Sequence, residues 1–407
     1  WLDNDFYGFV YALQYERSGL QLTLGGGWNR YSGAHFGEVI WAQYASNGDI
    51  RHRYYDNDAR KLDGNTFLKA IYQLSPAVSV YADVQHRYVD YSFLGFDNEL
   101  RNVEQRAKLH FFNPKAGVNV AINEQNRLFA SFAVANREPN RRDFTESTPA
   151  SRPKAESLYD AELGYQWQQG GDGRFSAGAN LYLMYYRNQL VLNGQINDVG
   201  AFVRTNVDRS YRAGVELQAA AQPLPFLRLN ANATFSQNKI LAHSEFVDDW
   251  DTGEQIREDY ERRDIALSPN LIAGGDLTFF KDFAPTGRAF GHRLQLVWAH
   301  KYVSRQYLDN TQSLERSLAG FWRSDLRFIY TLMQRGERRL ELNFALMNLF
   351  NRRYAPNGFV YRYRSASYDP TGDDPYSVAD RQSGFYNMIG LYPQAGRHFL
   401  LGLSLSF

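Results

Sequence analysis

Aromatic and arginine side chains are concentrated in several long stretches that show no regular alternation of polar and apolar residues. Such side chains can hold an anionic chelate, because aromatic rings stack and guanidinium groups form charge-assisted hydrogen bonds. Binding residues also lie often on loops that a rigid scaffold positions. An ordinary solvated loop contains the same residue types, so each assignment is a prediction. The candidate ligand-binding residues are Trp41, Tyr44, His52, Arg53, Tyr55, Arg141, Arg142, Trp250, Tyr361 and Arg362.

Other site chemistries find less support in the sequence. The acidic stretch Glu245–Asp264 could bind Ca²⁺, but its carboxylates do not have the spacing of an EF-hand. The chain has no cysteine, which excludes disulfides, zinc–thiolate sites and cysteine nucleophiles. Its eight histidines and scattered serines do not form a nucleophile–base pattern. We therefore predict no catalytic residue, no enzyme activity, no metal site and no cofactor.

The composition restricts the class of protein. With 45 basic and 44 acidic residues, the net charge of +1 gives no reason to expect nucleic acid as a partner. No stretch approaches the roughly 18–20 consecutive apolar residues of a membrane helix. This criterion for a membrane helix does not apply to a membrane β-barrel, because only alternate strand residues face lipid. The 28 tyrosines and 28 phenylalanines suit the aromatic girdles of such a barrel.

The last stretch, Arg397–Phe407, shows the pattern that recurs along the chain. Phe399, Leu401, Leu403 and Leu405 alternate with smaller or polar residues, and Phe407 ends the chain. Because strand side chains point to opposite faces with period two, one face of this strand requires an apolar medium. Counting segments with this alternation gives about fifteen strands. They are Asp5–Arg17, Leu20–Tyr31, Asn65–Leu74, Ala77–Val89, His110–Ile122, Arg127–Arg137, Ser157–Gln168, Arg174–Val191, Ser210–Gln222, Phe226–Gln237, Pro269–Phe280, His292–Val303, Trp322–Thr331, Arg339–Asn348 and Arg397–Phe407.

The connections between these segments alternate between short and long. Short turns follow Arg17, Leu74 and Ile122, whereas a long polar stretch runs from Tyr31 to about Leu62. Within that stretch, residues His35 to Ala45 could form extra β structure. This rhythm is typical of an antiparallel up-and-down transmembrane barrel with short periplasmic turns and long outer loops. Single-chain bacterial barrels have even strand counts, so an odd count predicts that the first strand here is an even-numbered strand of a larger barrel.

Several motifs occur in a characteristic order. They include Phe112-Asn113-Pro114-Lys115-Ala116-Gly117, Pro153-Lys154-Ala155-Glu156-Ser157-Leu158-Tyr159-Asp160, Gly214-Val215-Glu216-Leu217, Asn348-Leu349-Phe350-Asn351 and Pro393-Gln394 before the last strand. In this order the chain resembles the C-terminal two-thirds of the barrel of a TonB-dependent outer-membrane receptor. The resemblance spans roughly Phe112 to Phe407. Asn348-Leu349-Phe350-Asn351 is expected to end a strand.

The resemblance implies an all-β barrel of about 22 strands with a plugged lumen. The segment 1–407 would be the C-terminal portion of that barrel, with an N-terminal plug domain and the first strands outside it. No signal peptide is visible at Trp1. The inward charged residues either contact the plug or line a hydrated interior. The expected plug-facing residues are Glu162, Arg212, Glu216, Arg323 and Arg327.

The favoured function is active import of a scarce ligand across the cell outer membrane, most plausibly a ferric siderophore or a similar small-molecule metal chelate. The implied partners are membrane lipid and lipopolysaccharide, the plug, and the TonB complex. The alternatives are a passive porin, a surface adhesin, and a haem or cobalamin receptor. A haem receptor resembling this family often has a histidine after the strand ending at Arg137, but none lies between Arg137 and Ser157. His35, His52 and His243 remain possible outer haem ligands.

Overall fold

Long β-strands account for most of the chain, as the period-two alternation predicts. The computed structural model describes residues 1–44, 51–96, 102–145, 147, 152–171, 173–196, 202–283, 291–333 and 339–406. The predictions for Phe407 and Ala45 lie outside these residues. None of the described helices is long and apolar enough to cross a bilayer.

The described residues form 21 strands and two single-turn helices. The strands are β1 (Leu2–Arg17), β2 (Leu20–Glu38), β3 (Arg53–Ser75), β4 (Val78–Phe96), β5 (Gln105–Ala121), β6 (Asn126–Arg137), β7 (Glu156–Gln168), β8 (Phe175–Ile196), β9 (Phe202–Leu224), β10 (Leu227–Asp249), β11 (Gln255–Asp264), β12 (Leu271–Phe283), β13 (Gly291–Val303), β14 (Gln306–Tyr307), β15 (Ser317–Leu318), β16 (Phe321–Met333), β17 (Arg339–Met347), β18 (Asn357–Arg364), β19 (Ser377–Ala379), β20 (Phe385–Tyr392) and β21 (His398–Ser406). The helices are α1 (Arg141–Thr145) and a 3-10 turn at Pro370–Gly372.

Each of the fifteen predicted segments overlaps one strand of the structure. These strands are β1 to β10, β12, β13, β16, β17 and β21. Nineteen strands belong to an antiparallel up-and-down sheet, whereas β14 and β15 pair separately. One short parallel contact, between β10 and β18, departs from this pattern. The all-β, antiparallel prediction is therefore confirmed. The prediction that Asn348-Leu349-Phe350-Asn351 ends a strand is also confirmed, because β17 stops at Met347.

The prediction that the polar stretch up to about Leu62 is a connection was wrong over its second half. β3 begins at Arg53, and β2 continues to Glu38, so that His35 pairs with Asn57. The hydrophobic alternation marks only the part of a strand that needs an apolar surrounding. Backbone ladder bonds continue beyond it, because they do not depend on apolar side chains.

Contacts divide the chain into two units. Unit 1 comprises Trp1–Val120 and Ala130–Asp160. One of its faces is apolar, because directly paired residues on neighbouring strands share a face. A ladder across five strands on this face joins Leu13, Leu24, Leu68, Val84 and Pro114. The opposite face is polar and carries Lys69, Asp83 and Lys115 in one ladder.

Unit 2 comprises Ala121–Phe129 and Ala161–Phe407, and it has the same two-faced construction. On its apolar face a ladder joins Phe279, Leu296, Phe328, Phe344 and Leu401. On its polar face a ladder joins Asp282, Arg293, Thr331, Glu341 and Ser404. Such a sheet suits a wall with lipid on one side and water on the other.

Candidate functional site

A charged cluster covers the polar face of unit 1 beside α1. We call it the Arg141 cluster and define it as Asn57, Lys61, Arg87, Glu138 and Arg141. Glu138 Oε1 accepts from Lys61 Nζ at 2.5 Å and from Arg87 Nη2 at 3.0 Å. Arg141 donates from Nη2 to Asn57 Oδ1 at 2.5 Å. The cluster thus joins the segment after β6 to two strands, β3 and β4, and it combines cations with a carboxylate at one place.

Helix α1 holds Arg141 in this position. Phe144 is buried against Phe93, with 5.7 Å between the ring centroids. Gln105 Nε2 donates to the Phe144 carbonyl at 3.1 Å. The Arg141 guanidinium lies 5.9 Å from the Phe93 ring centroid. Arg142, the other basic candidate, is exposed on the same helix. Of the two arginines predicted from the sequence, Arg141 is held in the cluster, whereas Arg142 is exposed to water.

The predicted ligand-binding residues in the first long connection, which follows Tyr31, are not members of the Arg141 cluster. Trp41 and Tyr44 are 77% and 84% exposed. Arg53 forms ion pairs with Glu38 at 3.5 Å and Asp56 at 2.9 Å. The remaining members of this group are His52, which is exposed, and Tyr55, which packs edge-on against Tyr54 at 5.1 Å. Arg53 and Tyr55 thus lie at the start of β3, whereas Trp41 and Tyr44 are exposed in the segment after β2.

In unit 2, Trp250 stands on a rigid aromatic stack. We call Asp248, Trp250, Tyr361 and Tyr363 the Trp250 platform. The Trp250 ring stacks on Tyr363 with centroids 3.9 Å apart, and its Nε1 donates to the Tyr361 hydroxyl at 3.1 Å. That hydroxyl donates to Asp248 Oδ2 at 2.7 Å. Burial raises the pKa of Tyr361 to about 12, so its phenol stays protonated at neutral pH. Trp250 itself remains 53% exposed.

The carboxylates of the acidic stretch are used in contacts between two chain segments. Asp249 accepts from Arg364 Nη1 at 2.6 Å. Asp251 accepts from the Ala366 backbone N–H at 2.6 Å and from Ser367. Among the described residues, no group of three or more acidic or histidine side chains is placed to hold a metal ion. The acidic run therefore connects the turn after β10 to the segment after β18.

Arg362 lies in a second, buried network. Its guanidinium donates to Glu258 at 2.5 Å, Asp380 at 3.1 Å and Gln382 at 2.7 Å. Asp380 is shared with Arg316, a residue that is only 4% exposed. Arg362 therefore holds β18 against neighbouring segments, and a direct contact between it and a ligand stays a prediction. Sequence patterns did not single out Arg316, because it lies outside the alternating segments and one of its carboxylate partners, Asp380, is 64 residues away in the chain.

The five expected plug-facing residues lie on the polar face of unit 2. Asn180 donates to both Glu162 and Glu216 at 3.4 Å, and Arg212 donates to Ser268 at 3.0 Å. Arg323 pairs with Asp325 at 2.6 Å. The fifth residue, Arg327, is exposed and opposite Ala345 in the ladder. The period-two prediction of their face is consistent with the register, and their contact with a plug stays a prediction.

The three histidines considered as haem ligands differ in accessibility. The side chain of His243 is 1% exposed and lies 3.5 Å from Glu245. His35 is also buried and hydrogen-bonds to the Tyr31 hydroxyl at 2.9 Å. His52 is the exposed member of the three. A large planar ligand would therefore reach His52 far more easily than His35 or His243.

The comparisons with known proteins agree with this wall-like architecture. The family described as TonB-dependent receptor-like β-barrel matches residues 2–349. The chain therefore belongs to this family, whose members are receptors and transporters. No curated protein matches the chain significantly.

Solved structures with the same fold include the ferric-catecholate import receptor Fiu from E. coli K12, with a TM-score of 0.64 and 13% identity. They also include the siderophore receptor PiuA from Acinetobacter baumannii, with a TM-score of 0.64 and 14% identity. A third is the copper transporter OprC, with a TM-score of 0.67 and 15% identity. All of this chain is covered in each comparison, but only 55%, 56% and 56% of the other chains. The chain thus spans about half the length of these proteins.

Proposed function

We propose that this chain forms part of the wall and outer surface of an outer-membrane receptor that imports an anionic metal chelate, a ferric siderophore, in a TonB-dependent manner. Membership of the receptor family supports transport as the general activity. The import of ferric chelates by Fiu and the siderophore binding of PiuA support this ligand class. The Trp250 platform is the observation in this chain that carries the proposal.

The platform has the properties that recognition of a ring-bearing chelate requires. One face of Trp250 packs on Tyr363, and its indole N–H is bound to Tyr361, so the ring has little freedom left to lose. More than half of the side chain stays accessible to a ligand. The neighbouring Arg364 is 34% exposed and adds a cation, although Asp249 neutralises part of its charge. Stacking would orient the ligand, and charge would attract it.

Transport would further require a plug that leaves the lumen on demand. The polar face of unit 2 suits a releasable contact, because ion pairs between solvent-accessible side chains are each worth only ~0–1 kcal/mol. A depression of about 330 Å³ on this face is lined by Asn180, Glu216 and Gln218, among others. We propose that a plug rests on Glu162, Arg212, Glu216, Arg323 and Arg327, and that force from the TonB complex removes these contacts.

The test uses the full-length receptor with Trp250→Ala. Loss of the stacking surface should weaken binding of the recognised ferric siderophore about tenfold, which corresponds to ~1.4 kcal/mol. The measurement is equilibrium binding to the purified receptor across catecholate, hydroxamate and citrate chelates of iron, with haem and cobalamin included. Growth on the bound chelate as the iron source should require an intact TonB complex.

Tyr376→Ala is the matched control, since Tyr376 is an aromatic residue that is 71% exposed outside the platform. Its affinity should equal that of the wild type. Uptake that continues without TonB would favour a passive porin. Tight binding of haem or cobalamin, but of no ferric siderophore, would replace the proposed ligand class.

A further inference from the structure

Two histidines lie next to each other on the apolar face of unit 1, just beyond its aliphatic ladder. His86 follows Val84 of that ladder by two residues and pairs with Phe112, and the next pair on this face is Tyr88 with His110. His86 on β4 and His110 on β5 are therefore diagonal neighbours, which ring-bearing side chains can bridge. The two residues are 24 positions apart in the chain, so only the register brings them together.

The distance between the two imidazole rings fits a shared metal ion. His110 Nδ1 lies 3.4 Å from His86 Nε2, and the ring centroids are 5.5 Å apart. This nitrogen–nitrogen distance is long for a hydrogen bond from an N–H group, which is usually about 2.7–3.2 Å. With Zn–N bonds of about 2.0–2.1 Å, two nitrogen ligands of one tetrahedral ion are roughly 3.3–3.4 Å apart. The pair therefore has the separation of two ligands of such an ion.

The pair is accessible and held in place by its neighbours. Both histidines are exposed. Tyr88 packs beside His110 with ring centroids 4.8 Å apart, and the Tyr88 hydroxyl donates to Asp90 Oδ2 at 3.3 Å. Aromatic rings of this kind mark the boundary between apolar and polar surroundings, so an ion in water can reach this level of the wall. Rings that are positioned before an ion arrives lose less entropy on binding.

We propose that His86 and His110 form a two-histidine binding site for a divalent transition-metal ion such as Zn²⁺. Neutral imidazole nitrogen is a preferred ligand of Zn²⁺, whereas Mg²⁺ and Ca²⁺ prefer oxygen ligands. Two protein ligands leave two positions of a tetrahedral ion for water. The bound ion would join β4 to β5 on the face of the sheet opposite the Arg141 cluster.

The proximity of a second imidazole distinguishes this site from the other histidines. In the part of the chain that the structure describes, no other histidine contacts a second one. His300 binds the Ser324 hydroxyl at 2.8 Å instead. His243 lies 3.5 Å from Glu245, but its side chain is only 1% exposed, so an ion would not reach it from water. At the proposed site, binding of the second imidazole is intramolecular once the first holds the ion, which raises the affinity above that of a single histidine.

The test measures binding of Zn²⁺ alone to the purified full-length receptor in detergent, after bound metal has been removed with a chelator. His86→Gln and His110→Gln should each weaken Zn²⁺ binding roughly tenfold or more, because even the loss of a group that orients a ligand costs a metal site about 10–100-fold in affinity. The matched control is His398→Gln, since His398 is exposed and its Nδ1 lies 2.9 Å from the Gly396 carbonyl. The control should bind Zn²⁺ as the wild type does, and Mg²⁺ should not compete.

A second measurement counts the ligands directly. Electron paramagnetic resonance of one equivalent of bound Cu²⁺, which imidazole binds more tightly than Zn²⁺, should show two nitrogen ligands in the wild type and in the control. Either single variant should show one. Circular dichroism establishes that each variant is folded, so a weaker affinity reports the site itself.

Unchanged Zn²⁺ affinity in both histidine variants, an equal loss in His398→Gln, or one nitrogen ligand in the wild type would overturn the proposal. The free ion is measured rather than a chelate, so the result does not depend on the proposed import function. Loss of siderophore binding would leave this site intact, and loss of Zn²⁺ binding would leave chelate import untouched.

Discussion

Arg316 is a single buried side chain that connects several segments of unit 2. It donates to Asp309 at 2.5 Å, to Asp380 at 2.5 Å and to the Thr311 hydroxyl at 2.8 Å. Two carboxylates thus share one guanidinium in a place with little water. Their mutual repulsion would be uncompensated without Arg316, because a buried charge needs a partner.

Arg316→Met should therefore destabilise this region by roughly 3–5 kcal/mol, as expected when one partner of a buried ion pair is removed. Hydrogen exchange of the amides in β14, β15 and β20 measures the local loss. Arg381→Met is the matched control, because Arg381 is 77% exposed and binds Glu315 at 2.6 Å. An exposed pair is worth ~0–1 kcal/mol. Equal protection in the two variants would show that Arg316 does not organise these segments.

At the scale of elements, the turn after β10 and the segment after β18 act as a connected pair. Trp250 N–H donates to the Arg364 carbonyl at 2.9 Å, next to a parallel pairing of Asp248 with Tyr363 and Asp249 with Arg364. Asp251 extends this contact to Ala366 and Ser367. The position of Trp250 thus depends on two elements more than a hundred residues apart in the chain.

This contact should depend on pH. Hydrogen bonds from the Ser367 hydroxyl and the Ala366 N–H lower the pKa of Asp251 below its ordinary value. A lowered folded-state pKa means that the stabilisation is complete above the unfolded value of about 3.9 and is lost as the pH falls through the folded value. Amide protection of Ala366 and Ser367, corrected for intrinsic exchange, should be constant from pH 8 to 5 and decrease below about pH 4. Asp251→Asn should reduce protection at neutral pH and remove that dependence; protection that falls already near pH 6 would contradict this assignment.

On the scale of the whole molecule, the two faces of the sheet should differ in how well they tolerate a charged substitution. Leu403 pairs with Leu342 on the apolar face, and Ser404 pairs with Glu341 on the polar face. Leu403→Arg should cost roughly 2–4 kcal/mol in folding of the full-length receptor into bilayers if the site lies near the midplane. Ser404→Arg is the control and should fold almost as the wild type does. Folding that is unaffected by Leu403→Arg would show that the faces are assigned the wrong way round.

Sequence patterns alone determined the strand class, the faces and much of the order. Strand side chains alternate with period two, so apolar positions such as Leu401 and Leu403 indicate their face without any knowledge of their partners. The same rule placed Glu162, Arg212 and Arg327 on the polar face. The ordered motifs predicted the receptor family that the comparison with known families then showed.

Only the tertiary structure decided which candidate side chains are accessible. Trp250 and Arg362 look equally promising in the sequence, yet Trp250 is 53% exposed and Arg362 is 9% exposed. Part of the difference comes from the segments beside β18, where Asp380 and Gln382 bind Arg362, and the alternation predicted none of β18, β19 and β20. The Arg141 cluster likewise assembles from β3, β4 and the segment after β6, and its residues lie far apart in the chain. Register brings them together through backbone hydrogen bonds, which leave no signature in side-chain spacing.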